Sequence, residues 1–202
     1  MATARKAGRK PSTRRAPVQT TVRRNPPGQT PDVLSLLSAD HAEVHAHFER
    51  YRQLAEQDAD GDERGDLAKR ICAMLSVHAT LEEEFFYPAA RAAGVDPDLL
   101  DEADVEHASA KSLIAQIAAL SPDDRLYDAK VAVLGEYVDH HVAEEEGELF
   151  PKCRAAGMDL QGIVMPMAQR RVELMEAETP ADDEGNFVTR LANKALQALR
   201  SD

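Results

Sequence analysis

The sequence predicts an all-α protein: an antiparallel up-down-up-down four-helix bundle with a disordered basic N-terminal tail and a C-terminal helical extension. Three observations support this fold class. Aromatic residues make up only 4% of the 202 residues and Trp is absent, whereas Ala and Leu are abundant, which favours helix over sheet. Four stretches place apolar residues every three or four positions, which is the period of one helix face. Short segments with helix-capping and helix-ending residues separate these stretches.

Residues 1–30 form the predicted tail. The first 31 residues contain eight Lys or Arg and no acidic residue, although the whole chain has a net charge of −12. The segment is also poor in large apolar side chains, so we expect it to be disordered. Its composition is compatible with a solubilising tail and with a weak, salt-sensitive contact to nucleic acid or another polyanion. The rest of the chain is too acidic to bind a polyanion by itself.

The first two helices follow the tail. Residues 30–32 (Thr-Pro-Asp) combine a cap, a first-turn proline and an acidic residue, so the first helix is predicted to begin there. A polar turn is predicted at residues 58–65, before the second helix. The second helix should end near Gly94, because glycine is the residue most often found just after a helix.

The third and fourth helices have similar start and end signals. Asp96-Pro97 supplies a cap and a first helical position for the third helix, and residues 121–124 (Ser-Pro-Asp-Asp) are a start signal for the fourth, which should end near Gly157. The predicted bundle therefore spans residues 31–157. The predicted extension, residues 158–202, contains a helix at 159–177, a linker at 178–185 and a short amphipathic helix at 186–200.

The chain has no pattern that indicates a membrane or secreted protein. No apolar run approaches the roughly 20 residues that a helix needs to cross a bilayer. The N-terminus also lacks the apolar core of a secretory signal. We therefore expect a cytoplasmic protein without a membrane partner.

An internal repeat divides the bundle into two halves. Residues 78–96 and 141–159 align at a constant offset of 63 without a gap, with His, Glu-Glu, Pro, Arg and Ala-Ala-Gly at matching positions. Asp40-His41 and Glu106-His107 repeat more faintly, at an offset of 66. We therefore expect two helical hairpins related by a pseudo-two-fold axis.

The repeated unit contains metal-ligating residues. His78 and Glu82, and likewise His141 and Glu145, are four positions apart and so lie on one helix face. Both pairs interrupt apolar faces and should point into the bundle, where a carboxylate is costly unless it is paired or binds a metal. A histidine on each remaining helix also interrupts an apolar face. Imidazole and carboxylate ligands suit iron, manganese or zinc, and paired carboxylates suit two ions. The predicted ligands are His41, His78, Glu82, His107, His141 and Glu145.

Several neighbouring residues have more than one interpretation. His45 lies one turn after His41 and can reach the same centre, so we include it as a candidate ligand, although Lys111 occupies its counterpart on the third helix. His140 is a minor alternative to His141. Tyr87 is either a packing aromatic or a proton or radical donor. The remaining glutamates around the pairs are predicted to form a solvated acidic face: Glu83, Glu84, Glu144, Glu146 and Glu148.

These motifs resemble the hemerythrin-like family, also called the HHE cation-binding domain. Four pieces match in the right order over about residues 32–157: Asp40-His41, HATLE at 78–82 followed by FYP, Glu106-His107, and HVAEE at 141–145 followed by LFP. The resemblance implies a bundle that holds two iron ions as an oxo- or hydroxo-bridged diiron centre, with zinc or manganese as alternative metals. It also implies that Glu82 and Glu145 bridge the ions.

The sequence also departs from oxygen-carrying hemerythrins. The third helix has only His107 where they place a His-x3-His pair, and Glu145 follows His141 at spacing four where they use an Asp at spacing five. This departure argues against stable reversible oxygenation. The main hypothesis is a non-enzymatic diiron protein whose metal binds a small ligand, and which binds or senses oxygen, nitric oxide or iron in a stress response. A diiron redox enzyme acting on peroxide or nitric oxide is the first alternative, and a metal-stapled structural or regulatory module is the second.

Overall fold

The computed structural model describes residues 31–57 and 59–178, and every regular element in them is a helix. Two π-helical turns, π1 and π2, join α2 to α3 and α5 to α6 without a break, so the described residues form five rods. The all-α prediction is confirmed. The helices are α1 Val33–Glu56, α2 Gly61–Leu81, π1 Glu82–Phe86, α3 Tyr87–Ala92, α4 Pro97–Ala118, α5 Tyr127–Glu144, π2 Glu145–Leu149, α6 Phe150–Ala155 and α7 Val164–Glu178.

Some sequence predictions fall outside the described residues. These are the disordered tail at 1–30, the linker after residue 178 and the amphipathic helix at 186–200. The helix predicted at 159–177 corresponds to α7, which begins five residues later than predicted. None of the described helices is long and apolar enough to cross a membrane.

The starts of α1 and α4 depend on aspartate caps. The Asp32 carboxylate accepts a hydrogen bond from the backbone N–H of Ser35 at 2.9 Å, so α1 begins at Val33 rather than at the predicted residue 31. Asp96 caps α4 in the same way, and Pro97 is its first helical residue, as predicted.

The starts of α2 and α5 differ more from the prediction. Asp60 caps α2, so residues 61–65 of the predicted polar turn are helical. Residues 121–124 fold into a turn instead of starting α5, because Asp124 accepts the backbone N–H of Ser121. This turn packs tightly on α2: a Cβ at Gly65 would lie only 2.6 Å from Cγ of Pro122.

The ends of the two repeated rods are alike. Gly94 and Gly157 have positive φ angles of 77° and 69°, a conformation that glycine adopts without steric cost. The residue after each glycine donates its backbone N–H to a carbonyl five residues earlier, Val95 to Ala90 and Met158 to Cys153. Both helix ends that the repeat predicts are therefore present.

The long rods pack against one another. α1 contacts α2 and α5, α4 contacts α5 and α2, and α7 contacts α2. The Tyr51 hydroxyl near the end of α1 donates to Asp128 at the start of α5 at 2.6 Å. Arg154 at the end of α6 donates to Asp32 at the start of α1 at 2.8 Å. The α5–α6 rod therefore runs antiparallel to α1.

The apolar core has two separate clusters along the rods. One contains Leu37, Leu81 and Leu149, and the other contains Val44 and Leu75. A polar layer lies between the two clusters, and apart from Arg64 it accounts for all the buried polar or charged side chains of the described residues. These side chains are His41, His78, Glu82, His107, His141 and Glu145.

Candidate metal centre

Four rods supply the polar layer. α1 contributes one histidine and α4 another, while each repeated rod contributes a histidine and a glutamate. In both repeated rods the glutamate is the first residue of the π-helical turn, Glu82 in π1 and Glu145 in π2. The structure therefore brings together the six residues that the helix faces and the repeat predict as candidate ligands.

The first group of donor atoms surrounds His41 and His78. Their Nε2 atoms lie 3.2 Å apart. Nε2 of His78 is 3.1 Å from Oε2 of Glu82, and Nε2 of His41 is 3.4 Å from Oε2 of Glu145. One donor atom from each of these four residues lies within 4.8 Å of the other three. This is the spacing expected of side chains that can share one ion.

The second group surrounds His107 and His141, whose Nε2 atoms are also 3.2 Å apart. Nε2 of His107 lies 3.3 Å from the same Glu82 oxygen that approaches the first group. Oε2 of Glu145 lies 3.8 Å from Nε2 of His141. Both carboxylates therefore lie between two histidine pairs, which is the arrangement that two bridging carboxylates require.

Each of the four histidines also has a carboxylate on its outer side. This second contact orients a metal-ligating imidazole and makes it a better ligand. The Nδ1 contacts are His41 with Glu146 at 3.0 Å, His78 with Asp40 at 3.4 Å, His107 with Glu83 at 3.0 Å, and His141 with Glu106 at 2.8 Å.

These outer contacts correct one sequence interpretation. Glu83 and Glu146 were expected on a solvated face, but each contacts a histidine of a neighbouring rod. They occupy equivalent positions of the repeat at the offset of 63, and that equivalence was the signal that marked them. Glu84 and Glu148 do lie on the exposed surface.

The donor atoms of the layer fit cations. Carboxylates only accept hydrogen bonds, so a neutral imidazole that contacts one through Nδ1 carries its proton there and leaves a lone pair on Nε2. When all four histidines are neutral, as metal ligands are, four such lone pairs converge on the layer. Both oxygens of Glu82 and Oε2 of Glu145 are buried without a hydrogen-bond partner. Unpaired buried carboxylate oxygens are costly, and bound cations remove that cost.

The electrostatics of the layer also favour positive charge. Burial lowers the pKa of His78, but the charge of Glu82 and the hydrogen bond to Asp40 outweigh it and raise that pKa to about 10. Burial likewise opposes protonation of His141, whereas Glu145 and Glu106 raise its pKa to about 9. Burial raises the pKa of Glu82, yet the neighbouring histidines bring it well below its ordinary value. The layer therefore attracts cations, whether protons or metal ions.

The π-helical turns bring a further side chain into the layer. In π1 the backbone N–H of Tyr87 donates to the carbonyl of Glu82, five residues earlier. Its buried hydroxyl donates to Oε1 of Glu145 at 3.0 Å and lies 3.2 Å from Nε2 of His107. Tyr87 is therefore more than a packing aromatic. Its equivalent in the repeat, Phe150, has no hydroxyl.

His45 and His140 lie outside the buried layer. The imidazole of His45 is 43% exposed and pairs with Asp139 at 3.1 Å. That of His140 is 62% exposed and lies near Glu106 and Glu144 on the surface. The buried candidate ligands are therefore the six residues of the polar layer.

A cavity of about 540 Å³ adjoins the layer. All four histidines of the layer lie on its wall, and the rest of the wall is largely apolar. The apolar side chains come from α1, α2, α4, α5 and α7 and include Val44, Met74, Ile114, Val138 and Met167. Such a wall suits a small uncharged molecule better than an ion.

Two comparisons with other proteins address this site. A family model described as the hemerythrin HHE cation binding domain matches residues 32–153. A crystal structure of a hemerythrin HHE cation binding domain-containing protein from Mycobacterium kansasii has a TM-score of 0.58, covering 86% of this chain and 94% of that chain. Its sequence is 18% identical, so this likeness shows the shared fold alone.

A relative from Nostoc sp. (strain PCC 7120) is described as a DNA nickase. It is 29% identical over 126 residues, which are 62% of this chain and 34% of the relative. The chain therefore matches only about a third of the length of that protein.

Proposed function

We propose a function for this chain from its family, because the chain belongs to the hemerythrin HHE cation-binding domain family. In this proposal it is a non-heme diiron protein that binds or senses oxygen, nitric oxide or iron in a stress response. The metal-holding unit in this proposal is the antiparallel four-helix bundle of residues 31–157, with residues 158–202 as an extension. Its ligands are His41, His78, Glu82, His107, His141 and Glu145.

One observation carries the proposal: the same Glu82 oxygen approaches both histidine pairs. It lies 3.1 Å from Nε2 of His78 in one pair and 3.3 Å from Nε2 of His107 in the other. A single-ion site would not need two histidine pairs around a shared carboxylate. Imidazole and carboxylate donors in a helical bundle suit iron, with manganese and zinc as alternatives.

The protein's own residues would control what reaches the centre. Two bound irons would supply one-electron redox chemistry and positions for a small ligand. The cavity beside the layer has room for a diatomic molecule, and its wall is largely apolar. Tyr87 holds one oxygen of Glu145 through its hydroxyl and so fixes the orientation of that carboxylate.

Rapid mixing of the iron(II)-loaded protein with oxygen or nitric oxide tests the proposal. We expect a new visible absorption band for each gas that the centre binds. A band that disappears under vacuum supports reversible binding of the gas. Permanent oxidation of the iron by oxygen would exclude a reversible oxygen carrier. Zinc-loaded protein is the control, because zinc fills the site but has no redox chemistry. Identical traces for iron-loaded and zinc-loaded protein would contradict the proposal.

A redox enzyme acting on peroxide or nitric oxide is the second candidate, and the position of Tyr87 favours it. The Tyr87 hydroxyl lies within 3.2 Å of both Glu145 and His107, so it can deliver a proton to the centre. We expect Tyr87→Phe to slow turnover while the metal content stays the same. Equal turnover by the variant and the wild type would exclude Tyr87 from the mechanism. Absence of wild-type turnover with peroxide and with nitric oxide would exclude the enzymatic function.

A regulatory module with a nucleic-acid contact is the third candidate. The basic residues of the first 31 positions favour it, and one relative is described as a DNA nickase. Fluorescence anisotropy with a labelled DNA duplex tests this contact. Deletion of residues 1–30 should abolish binding that falls steeply with salt. Equal binding by the full chain and the truncated chain would exclude the tail as the contact.

A further inference from the structure

Helix α7 lies outside the residues that match the family model, yet it contacts carboxylates next to the polar layer. Two consecutive arginines attach it to the bundle. Arg170 donates to both oxygens of Glu84, at 2.8 and 3.0 Å. Arg171 donates to both oxygens of Asp40, with one contact at 3.0 Å. These two-pronged pairs fix the position of a carboxylate better than a single lysine contact can.

The two arginine pairs differ in what lies beyond the carboxylate. Glu84 is 40% exposed and its pair with Arg170 is a surface contact. Asp40 is 20% exposed, and its Oδ2 also lies 3.4 Å from Nδ1 of His78. Arg171, Asp40 and His78 therefore form a continuous chain from α7 to the first histidine pair.

Within residues 31–57 and 59–178, no arginine pairs with the carboxylate at the pseudo-symmetric position. Glu106 corresponds to Asp40 in the repeat and contacts Nδ1 of His141 at 2.8 Å, and its other neighbour is His140 at 3.5 Å. Beside the second histidine pair, the outer carboxylate of Glu83 contacts a lysine instead. The Lys111 ammonium group donates to both Glu83 oxygens, at 2.5 and 2.7 Å. Each pair is thus held from outside by a different residue.

We propose that Arg171 is a positioning residue of the metal centre, which acts through Asp40 to hold the His78 imidazole in the orientation that the first metal position needs. Asp40 shares its charge between Arg171 and His78, and its contact with the imidazole is the longest of the four outer contacts. The extension after the bundle is therefore part of the site. This inference rests on the proposed metal centre.

Matched variants separate positioning from simple docking of α7. Arg171→Met removes the chain to His78, whereas Arg170→Met removes an equally extensive arginine pair from the same helix and leaves Asp40 untouched. Lys111→Met perturbs the second histidine pair instead. Titration of each metal-free protein with zinc, in competition with a chromogenic chelator, gives the affinities of the two positions. Nitrogen-15 NMR of the zinc-loaded proteins follows each histidine Nδ1 resonance separately.

We expect Arg171→Met to weaken one of the two zinc equivalents by up to about 10-fold, the lower end of the usual cost of losing an outer contact, because Asp40 itself remains. It should shift the Nδ1 resonance of His78, and Lys111→Met should shift that of His107. Arg170→Met should leave both affinities and all four resonances at wild-type values. Equal effects of Arg171→Met and Arg170→Met would overturn the proposal, because docking of α7 would then be the cause.

A second variant keeps the test decisive if Arg171→Met does not fold. Asp40→Asn preserves the shape of the side chain and should weaken the same zinc equivalent. Adding Arg171→Lys to Asp40→Asn should then cause no further loss, because both act through one chain. Additive losses would contradict that chain. Failure of the wild-type protein to bind two metal ions would instead contradict the proposed function, so the two failures are distinguishable.

Discussion

Replacing Glu82 with glutamine is the most informative single change to the proposed centre. Glutamine has nearly the same size as glutamate but no charge, so packing in the layer is preserved. The Glu82 side chain is fully buried, and one of its oxygens lies 3.1 Å from His78 and 3.3 Å from His107. The substitution therefore removes an anionic donor from both histidine pairs at once.

The expected size of the effect follows from these contacts. Without Glu82, the second group retains His107 and His141, whose Nε2 atoms are 3.2 Å apart, and the more distant Glu145, whose Oε2 lies 3.8 Å from Nε2 of His141. Loss of an outer partner usually weakens a metal site by about 10- to 100-fold. Loss of a direct ligand should cost about 100-fold or more, which is about 2.8 kcal/mol. We expect Glu82→Gln to retain one metal ion per chain where the wild type retains two.

Elemental analysis after iron loading and desalting measures this loss directly. Glu148→Gln is the control, because it removes a carboxylate from the equivalent π-helical turn, π2, but its side chain is 63% exposed. Circular dichroism verifies that both variants keep their helix content. Two tightly bound ions in Glu82→Gln would refute the bridging role.

Three other changes test the structure. Chelation of both ions should lower the free energy of unfolding by about 5.4 kcal/mol if each ion is present at 100 times its Kd, and should lower the Tm by roughly 10–20 °C. Equal melting temperatures with and without metal would exclude a stapling role. Tyr51→Phe loses the hydrogen bond to Asp128 and should cost about 1 kcal/mol in urea unfolding, whereas an unchanged midpoint would mean that this bond adds nothing. Gly65→Ala should cost about 1–3 kcal/mol by the same assay, because the new Cβ would meet Pro122. Gly147→Ala is its control, because beyond its own turn of helix no described atom lies within 4 Å of the new Cβ. Equal losses in the two variants would disprove the steric cause.

The sequence predicted the composition of the polar layer because helix geometry and the repeat act together. A spacing of four residues puts His78 and Glu82 on one face, and the offset of 63 selects His141 and Glu145 rather than their neighbours. Helical periodicity shows which face a residue lies on, but it cannot show how far the buried polar layer extends along the helix. His45 shares a face with His41 but advances by about 40° over one turn, and it lies beside Asp139 on the surface.

Other features depend on contacts between rods and were not predictable from periodicity. Glu83 and Glu146 lie about 100° around the helix from the ligands that precede them, and only the packing of a neighbouring rod brings a histidine to them. The π-helical turns have no clear propensity signal, although the repeated prolines after them lack the N–H that a regular helix needs. The contact between Arg171 and Asp40 spans 131 residues of sequence.

The metal content of the purified protein tests the central claim most directly. Elemental analysis of the wild-type chain, purified in air without added metal, counts the ions that the polar layer holds. We predict two irons per chain, together with near-ultraviolet absorption bands that are absent from the chelated protein. One zinc per chain, or no bound metal after loading with iron(II), would contradict a diiron centre built on the shared Glu82.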